Sequence, residues 1–111
     1  IVADAMVTKM KGIALGVVTA DCVPIIFYDA ENEVVGCIHA GWKGAFSDII
    51  KNTFSKINKL SYSRKIYACV GPCIGKKSYE VDKKFYKKFL NKSQKNKVYF
   101  SYKNKKKNYL I

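Results

Sequence analysis

Apolar residues in the first half of the chain fall in short blocks, and their period changes midway. Residues 12–20, GIALGVVTA, are apolar throughout with β-branched residues late in the run, which predicts a buried strand. Residues 23–29, VPIIFYD, predict a second strand, with Pro24 tolerated near its start. The segment 29–32 reads as a turn, with Asn32 able to take the left-handed conformation. Residues 33–39, EVVGCIH, predict a third strand that pairs with the second as a hairpin. After Gly41 the period lengthens. Phe46, Ile49, Ile50, Thr53, Phe54, Ile57 and Leu60 share one helical face opposite Lys51, Ser55, Lys56 and Lys59, which predicts a helix over 44–60. A fourth strand is expected at 65–71, then a tight loop at 71–75. A shorter helix is expected at 81–91 with Phe85, Phe89 and Leu90 inward, and strand-like patches at 97–102 and 108–111. Strands with helices between them indicate an α/β sandwich.

Charge divides the chain unevenly. Residues 1–50 carry three Lys and six acids, whereas residues 51–111 carry 18 Lys+Arg and two acids, Glu80 and Asp82. Of the 21 basic residues only Arg64 is Arg. Domains that read nucleic-acid sequence rely on Arg for bidentate contacts, so the Lys-rich half reads as a solvated surface and no specific nucleic acid is expected. Cys37 and Cys69 lie in apolar strand-like runs and read as small buried hydrophobes. Cys69 and Cys73 are spaced too widely for a CxxC site, so free thiols in a reducing cytoplasm are expected. No run approaches the roughly 18 apolar residues of a membrane helix, and no signal peptide is recognisable. The first Met stands at position 6 and the chain closes on Tyr109-Leu110-Ile111, so sequence on both sides is expected.

The hairpin brings chemistry together. A four-residue turn over 29–32 sets Tyr28 opposite Glu33 and, at the open end, Cys22 opposite His39. Directly opposed side chains stand about 4.5–5.5 Å apart at Cβ. A thiolate and an imidazole at that separation can meet, or grip one metal ion. A loop longer or shorter by one residue sends them to opposite faces. Asp21, beside Cys22, is placed to orient the site or carry a proton, or to shape a turn. The segment from Ala40 to Gly44 leads through glycine into a helix start, where free N–H groups and Lys43 favour an anion. On their own, Trp42 reads as core more often than as a substrate platform, and the 71–75 loop as a strand-ending turn more often than as an anion cradle. Spacing alone leaves a metal pair, a nucleophile–base pair and two packing residues all open.

Four strings narrow this: ADAMVT (3–8), TADCVPIIFYD (19–29), HAGWKG (39–44) and GPCIGKKSYEV (71–81). In this order and at these intervals the chain resembles the YfiH family, also called the laccase-domain or polyphenol oxidase family, from Ile1 to about Phe89. The resemblance implies a mixed β-sheet sandwich with flanking helices, similar to cysteine hydrolases of the cytotoxic-necrotizing-factor type. It implies a single domain more than twice as long as this chain, of which residues 1–111 form the central part without either flank.

Family members bind zinc through one Cys and two His. Cys22 and His39 match two of these ligands. The other His belongs to a motif upstream of ADA, and His39 is the only histidine here. The activities that the resemblance implies include multicopper polyphenol oxidation. They also include zinc-dependent phosphorolysis of adenosine, inosine and methylthioadenosine, with deamination of adenosine. A link to peptidoglycan composition suggests a Cys–His hydrolase instead, and an inactive remnant is a further alternative. Several copper ions need many histidines, which one His does not supply. A three-ligand zinc site keeps one position open for water and suits attack on a purine. The expected reading is a purine nucleoside phosphorylase with adenosine deaminase activity. Cys22 and His39 hold zinc and act with Asp21 in catalysis, Trp42 and Lys43 bind substrate, and the partners are a purine nucleoside and phosphate, with no membrane.

Overall fold

A computed structural model describes residues 3–60, 65–103 and 109–111. The chain forms two compact units, Ile1–Cys73 and Ile74–Ile111. The first unit contains β1 (Ala5–Thr8), β2 (Val23–Asp29), β3 (Val34–Ala40), α1 (Trp42–Phe46), α2 (Ile49–Leu60) and β4 (Ile66–Val70). Its four strands form one sheet in the order β1-β3-β2-β4, every pair antiparallel. The hairpin β2–β3 is therefore central. β2 matches the predicted 23–29 and β3 lies one residue later than predicted.

Strand alternation divides the sheet into two faces. Ile25, Phe27, Ile38 and Ala40 turn inward and pack with Ile57 of α2, while Phe54 sets its ring 5.1 Å from that of Phe27. Phe27 pairs with Gly36 across the hairpin. A Cβ on Gly36 would stand 2.2 Å from Phe27 Cζ and 2.8 Å from the Met6 carbonyl oxygen, so glycine lets the ring lie over β3. The opposite face carries Ile26, Tyr28 and Val35, all exposed, and its centre at Cys37 is buried. Cys69, expected to be buried, is exposed on β4, an edge strand of the sheet.

Several expectations are corrected. Residues 13–19 form no strand, and Val18 is 95% exposed. Both positions that this run needs beside the hairpin are taken, by β1 on β3 and by β4 on β2. β1 itself, four residues long, was too short to show a period. The helix expected over 44–60 starts at Trp42 and breaks at Ser47-Asp48, where Asp48 takes φ 59. Asp tolerates the left-handed region better than most residues. The break is secured by Asn52, whose N–H donates to the Asp48 carbonyl and whose side-chain amide donates to the Ser47 carbonyl. Ile50 is exposed rather than inward, and the side chain of Leu60 lies outside the described residues.

The hairpin register also differs. Asp29 pairs with Val34 and Tyr28 with Val35, so the loop is 30–33 and Glu33, not Asn32, has positive φ. Asp29 causes the shift. It is fully buried, and its carboxylate accepts hydrogen bonds from the Glu31 and Asn32 backbone N–H groups and from the Asn32 side chain. An Asx turn of this kind makes Asp29 the last paired residue of β2.

The second unit contains β5 (Glu80–Val81), α3 (Lys83–Lys92), a 3-10 turn (Gln94–Tyr99), β6 (Ser101–Tyr102) and β7 (Tyr109–Leu110). Asp82 caps α3 by accepting from Phe85 N–H at 2.7 Å, which delays the helix start from the expected 81. Residues 97–99 are 3-10 rather than strand, and residue 108 lies outside the described residues. Phe85, Phe89, Phe100, Tyr86 and Tyr109 build an aromatic cluster, with the last two stacked at 4.0 Å. Lys103 pairs with Glu80.

Candidate active site at the open end of the hairpin

The shifted register sets Pro24 opposite His39. Continued by one pair beyond Val23–Ala40, it places Cys22 across from Gly41. Cys22 and His39 are thus diagonal neighbours, not directly opposed. The loop is still four residues long, so it moved by one position and the pairing by two. An even shift keeps a side chain on its face, because the strand period is two. Thiol and imidazole therefore stay on the outer face of the sheet.

Gly41 measures their proximity. A Cβ built on it would stand 3.0 Å from Cys22 Sγ and 3.8 Å from His39 Nε2. Both donor atoms thus border one small space, and the absence of a side chain at position 41 keeps it open. Sulfur and nitrogen are separated by no more than those two distances combined. A thiolate and an imidazole nitrogen are donors that suit zinc. Among the described residues no group of three or more His, Cys, Asp and Glu is placed to hold a metal ion. The pair therefore fits as two ligands of a set completed from elsewhere.

His39 is held from its other side. Its backbone N–H donates to the Asp4 carbonyl at 2.7 Å, and its Nδ1 lies 3.1 Å from Asp4 Oδ1. The two residues follow the Ala5–Ile38 pair in the β1–β3 register. A carboxylate at this distance is an acceptor placed at Nδ1, on the side of the ring away from Nε2. Asp4 was missed in the sequence because β1 was missed. Its place in ADAMVT, next to a strand that pairs with the His-bearing strand, was the available signal.

The remaining expected site residues are less concentrated. Asp21 is exposed in the bend before Cys22. Trp42 is half-buried, and Lys43 is exposed with its Nζ 5.8 Å from the centre of the Trp42 ring. Lys43 and Asp4 line a common cavity of about 490 Å³ with Ser47, Asn52 and Lys56. Gly71 donates its N–H to the Pro24 carbonyl at 2.9 Å, which brings the end of β4 to the same end of the sheet. Cys37, farther along the outer face, is 2% exposed, and burial pushes its thiol pKa up.

Comparisons with known proteins agree with this architecture. The family model described as multi-copper polyphenol oxidoreductase laccase matches residues 1–111. The chain is 39% identical over 109 residues to purine nucleoside phosphorylase RC0672 of Rickettsia conorii, covering 98% of this chain and 45% of that protein. It is 39% identical over 79 residues to adenosine deaminase RL5 of an unknown prokaryotic organism, covering 70% of this chain and 30% of the relative. The crystal structure of the Bacillus licheniformis hypothetical protein YfiH superposes with a TM-score of 0.84 at 33% identity, over 97% of this chain and 41% of that one. The chain thus spans less than half the length of the relatives it matches.

Proposed function

Because this chain belongs to the multi-copper polyphenol oxidoreductase laccase family, which includes YfiH, we propose that it is the central part of a zinc-dependent purine nucleoside phosphorylase that also deaminates adenosine. The observation that carries the reading is the shared space beside Gly41, bordered by Cys22 Sγ and His39 Nε2. Relatives named purine nucleoside phosphorylase and adenosine deaminase support the substrate class.

In this reading Cys22 and His39 hold zinc, which when bound supplies a Lewis acid at the end of the hairpin. Lys43, exposed just after the Gly41 turn, offers a positive charge to inorganic phosphate. Trp42 supplies an aromatic surface for the purine ring. Asp21 stands beside the thiolate as an exposed carboxylate able to move a proton. In phosphorolysis a phosphate oxygen bonds to the ribose C1′ as the glycosidic C–N bond breaks, and the purine leaves with a proton.

The outer sheet face supports the fragment reading. Ile13, Leu15, Ile26, Tyr28 and Tyr67 line an open apolar cavity of about 500 Å³. Soluble domains rarely leave such a face bare. The rest of the family domain is its natural cover, and with it the remaining zinc ligand. Among the described residues no helix is long and apolar enough to cross a membrane. The four free cysteines suit a cytoplasmic location.

The test is Cys22→Ala in the full-length gene product, followed by metal analysis and assay of inosine and adenosine with inorganic phosphate. Loss of bound zinc together with phosphorolysis is expected. Retention of both overturns the assignment.

A further inference from the structure

We propose that Asp4 is a positioning residue that fixes the tautomer and aim of the His39 ring, so that Nε2 presents its lone pair to the space it shares with Cys22. Two contacts from one residue hold His39: the backbone hydrogen bond at 2.7 Å fixes the strand, and the carboxylate at 3.1 Å from Nδ1 fixes the ring. The Asp4 side chain is 67% exposed and that of His39 32%. A polar contact so open to water adds little to stability. Its consequence is directional. A free neutral imidazole prefers its proton on Nε2, which would put an N–H, not a lone pair, toward Cys22. An acceptor at Nδ1 reverses that preference. Carboxylates behind metal-binding histidines act in this way elsewhere.

The zinc part of this inference rests on the reading of Cys22 and His39 as ligands; the tautomer part does not. His39 is the only histidine of these 111 residues, so its ring gives an isolated signal in a long-range ¹H–¹⁵N imidazole spectrum. In the metal-free chain, at a pH where the ring is neutral, the Nδ1–H form is expected. In Asp4→Ala the population moves to Nε2–H, while the backbone bond persists because it uses the Asp4 carbonyl. Asp4→Asn retains an accepting oxygen and keeps the wild-type tautomer. Zinc affinity, read by competition with a chromophoric chelator, falls about 10–100-fold in Asp4→Ala and less in Asp4→Asn.

A wild-type ring in the Nε2–H form overturns the proposal, even if Asp4→Ala does not fold. So does a folded Asp4→Ala with an unchanged tautomer. A wild-type chain with the Nδ1–H form, together with a full-length protein that takes up no zinc, refutes the metal reading and leaves the positioning role of Asp4 standing.

Discussion

Gly41→Ala separates the candidate site from the fold that carries it. Gly41 has φ −74 and ψ 169, a conformation open to alanine without backbone strain. At such positions the replacement stabilises by about 0.4–1 kcal/mol, because the unfolded chain has less freedom to lose. The new methyl meets Cys22 Sγ at 3.0 Å. That is at least about 0.5 Å inside the best van der Waals separation. Where neighbours cannot yield, overpacking costs about 1–3 kcal/mol. Cys22 is only half-buried and precedes β2, so its side chain can turn away. The two effects nearly offset, and the expected net loss of stability stays below about 2 kcal/mol.

Zinc binding has no such escape. The methyl fills the space that both donors border, and a thiol that turns aside no longer faces His39 Nε2. An affinity loss of about a hundredfold or more, equivalent to about 2.8 kcal/mol, is expected. Chelator competition and urea unfolding of the same preparation give the two numbers. Undiminished zinc affinity in a folded Gly41→Ala protein refutes the space beside Gly41 as a metal cradle. Unfolding that accounts for the whole loss refutes the separation of site from scaffold.

Two further outcomes test the fold. Gly36→Ala puts a methyl 2.2 Å from Phe27 Cζ and 2.6 Å from Cε1, with the Met6 carbonyl oxygen 2.8 Å away on the other side, so a loss above about 3 kcal/mol in urea unfolding is expected; near-neutral stability would refute the Phe27–Gly36 packing. Iodoacetamide at neutral pH should modify Cys69 and Cys73 rapidly and Cys37 only on unfolding, read by peptide mass spectrometry, because the first two are exposed and Cys37 is buried with its thiol pKa raised. The native state holds the Cys37 proton to higher pH than the unfolded chain does. Its contribution to stability is therefore full below the ordinary thiol pKa and declines as pH rises through the raised value.

The hairpin was legible because its two strands carry dense β-branched and aromatic runs around a polar turn, a local pattern that pairing only had to close. Its register was not, because that depends on which carbonyl-side residue the turn captures. Asp29 does so with its side chain. The direct opposition of Cys22 and His39 became a diagonal one, and only their shared face survived the error, since a four-residue loop moved by one position preserves strand parity. The break at Ser47-Asp48 was hidden for a different reason. Helical spacing of apolar residues persists across it, and the interruption shows only in the positive φ of Asp48 and in the Asn52 side-chain contact to the Ser47 carbonyl.

By itself the order of residues determined the central strands, the amphipathic α2, the placement of a thiol and an imidazole toward one end of the hairpin, and kinship with a family through four motifs. These are short-range properties, set by period, turn chemistry and side-chain identity. The tertiary structure alone decided that residues 13–19 remain outside the sheet, that Cys69 is exposed, and that Asp4 stands behind His39. Each depends on which strand occupies which edge. Edge occupancy is a contest among segments distant in sequence, and no local pattern records who prevails.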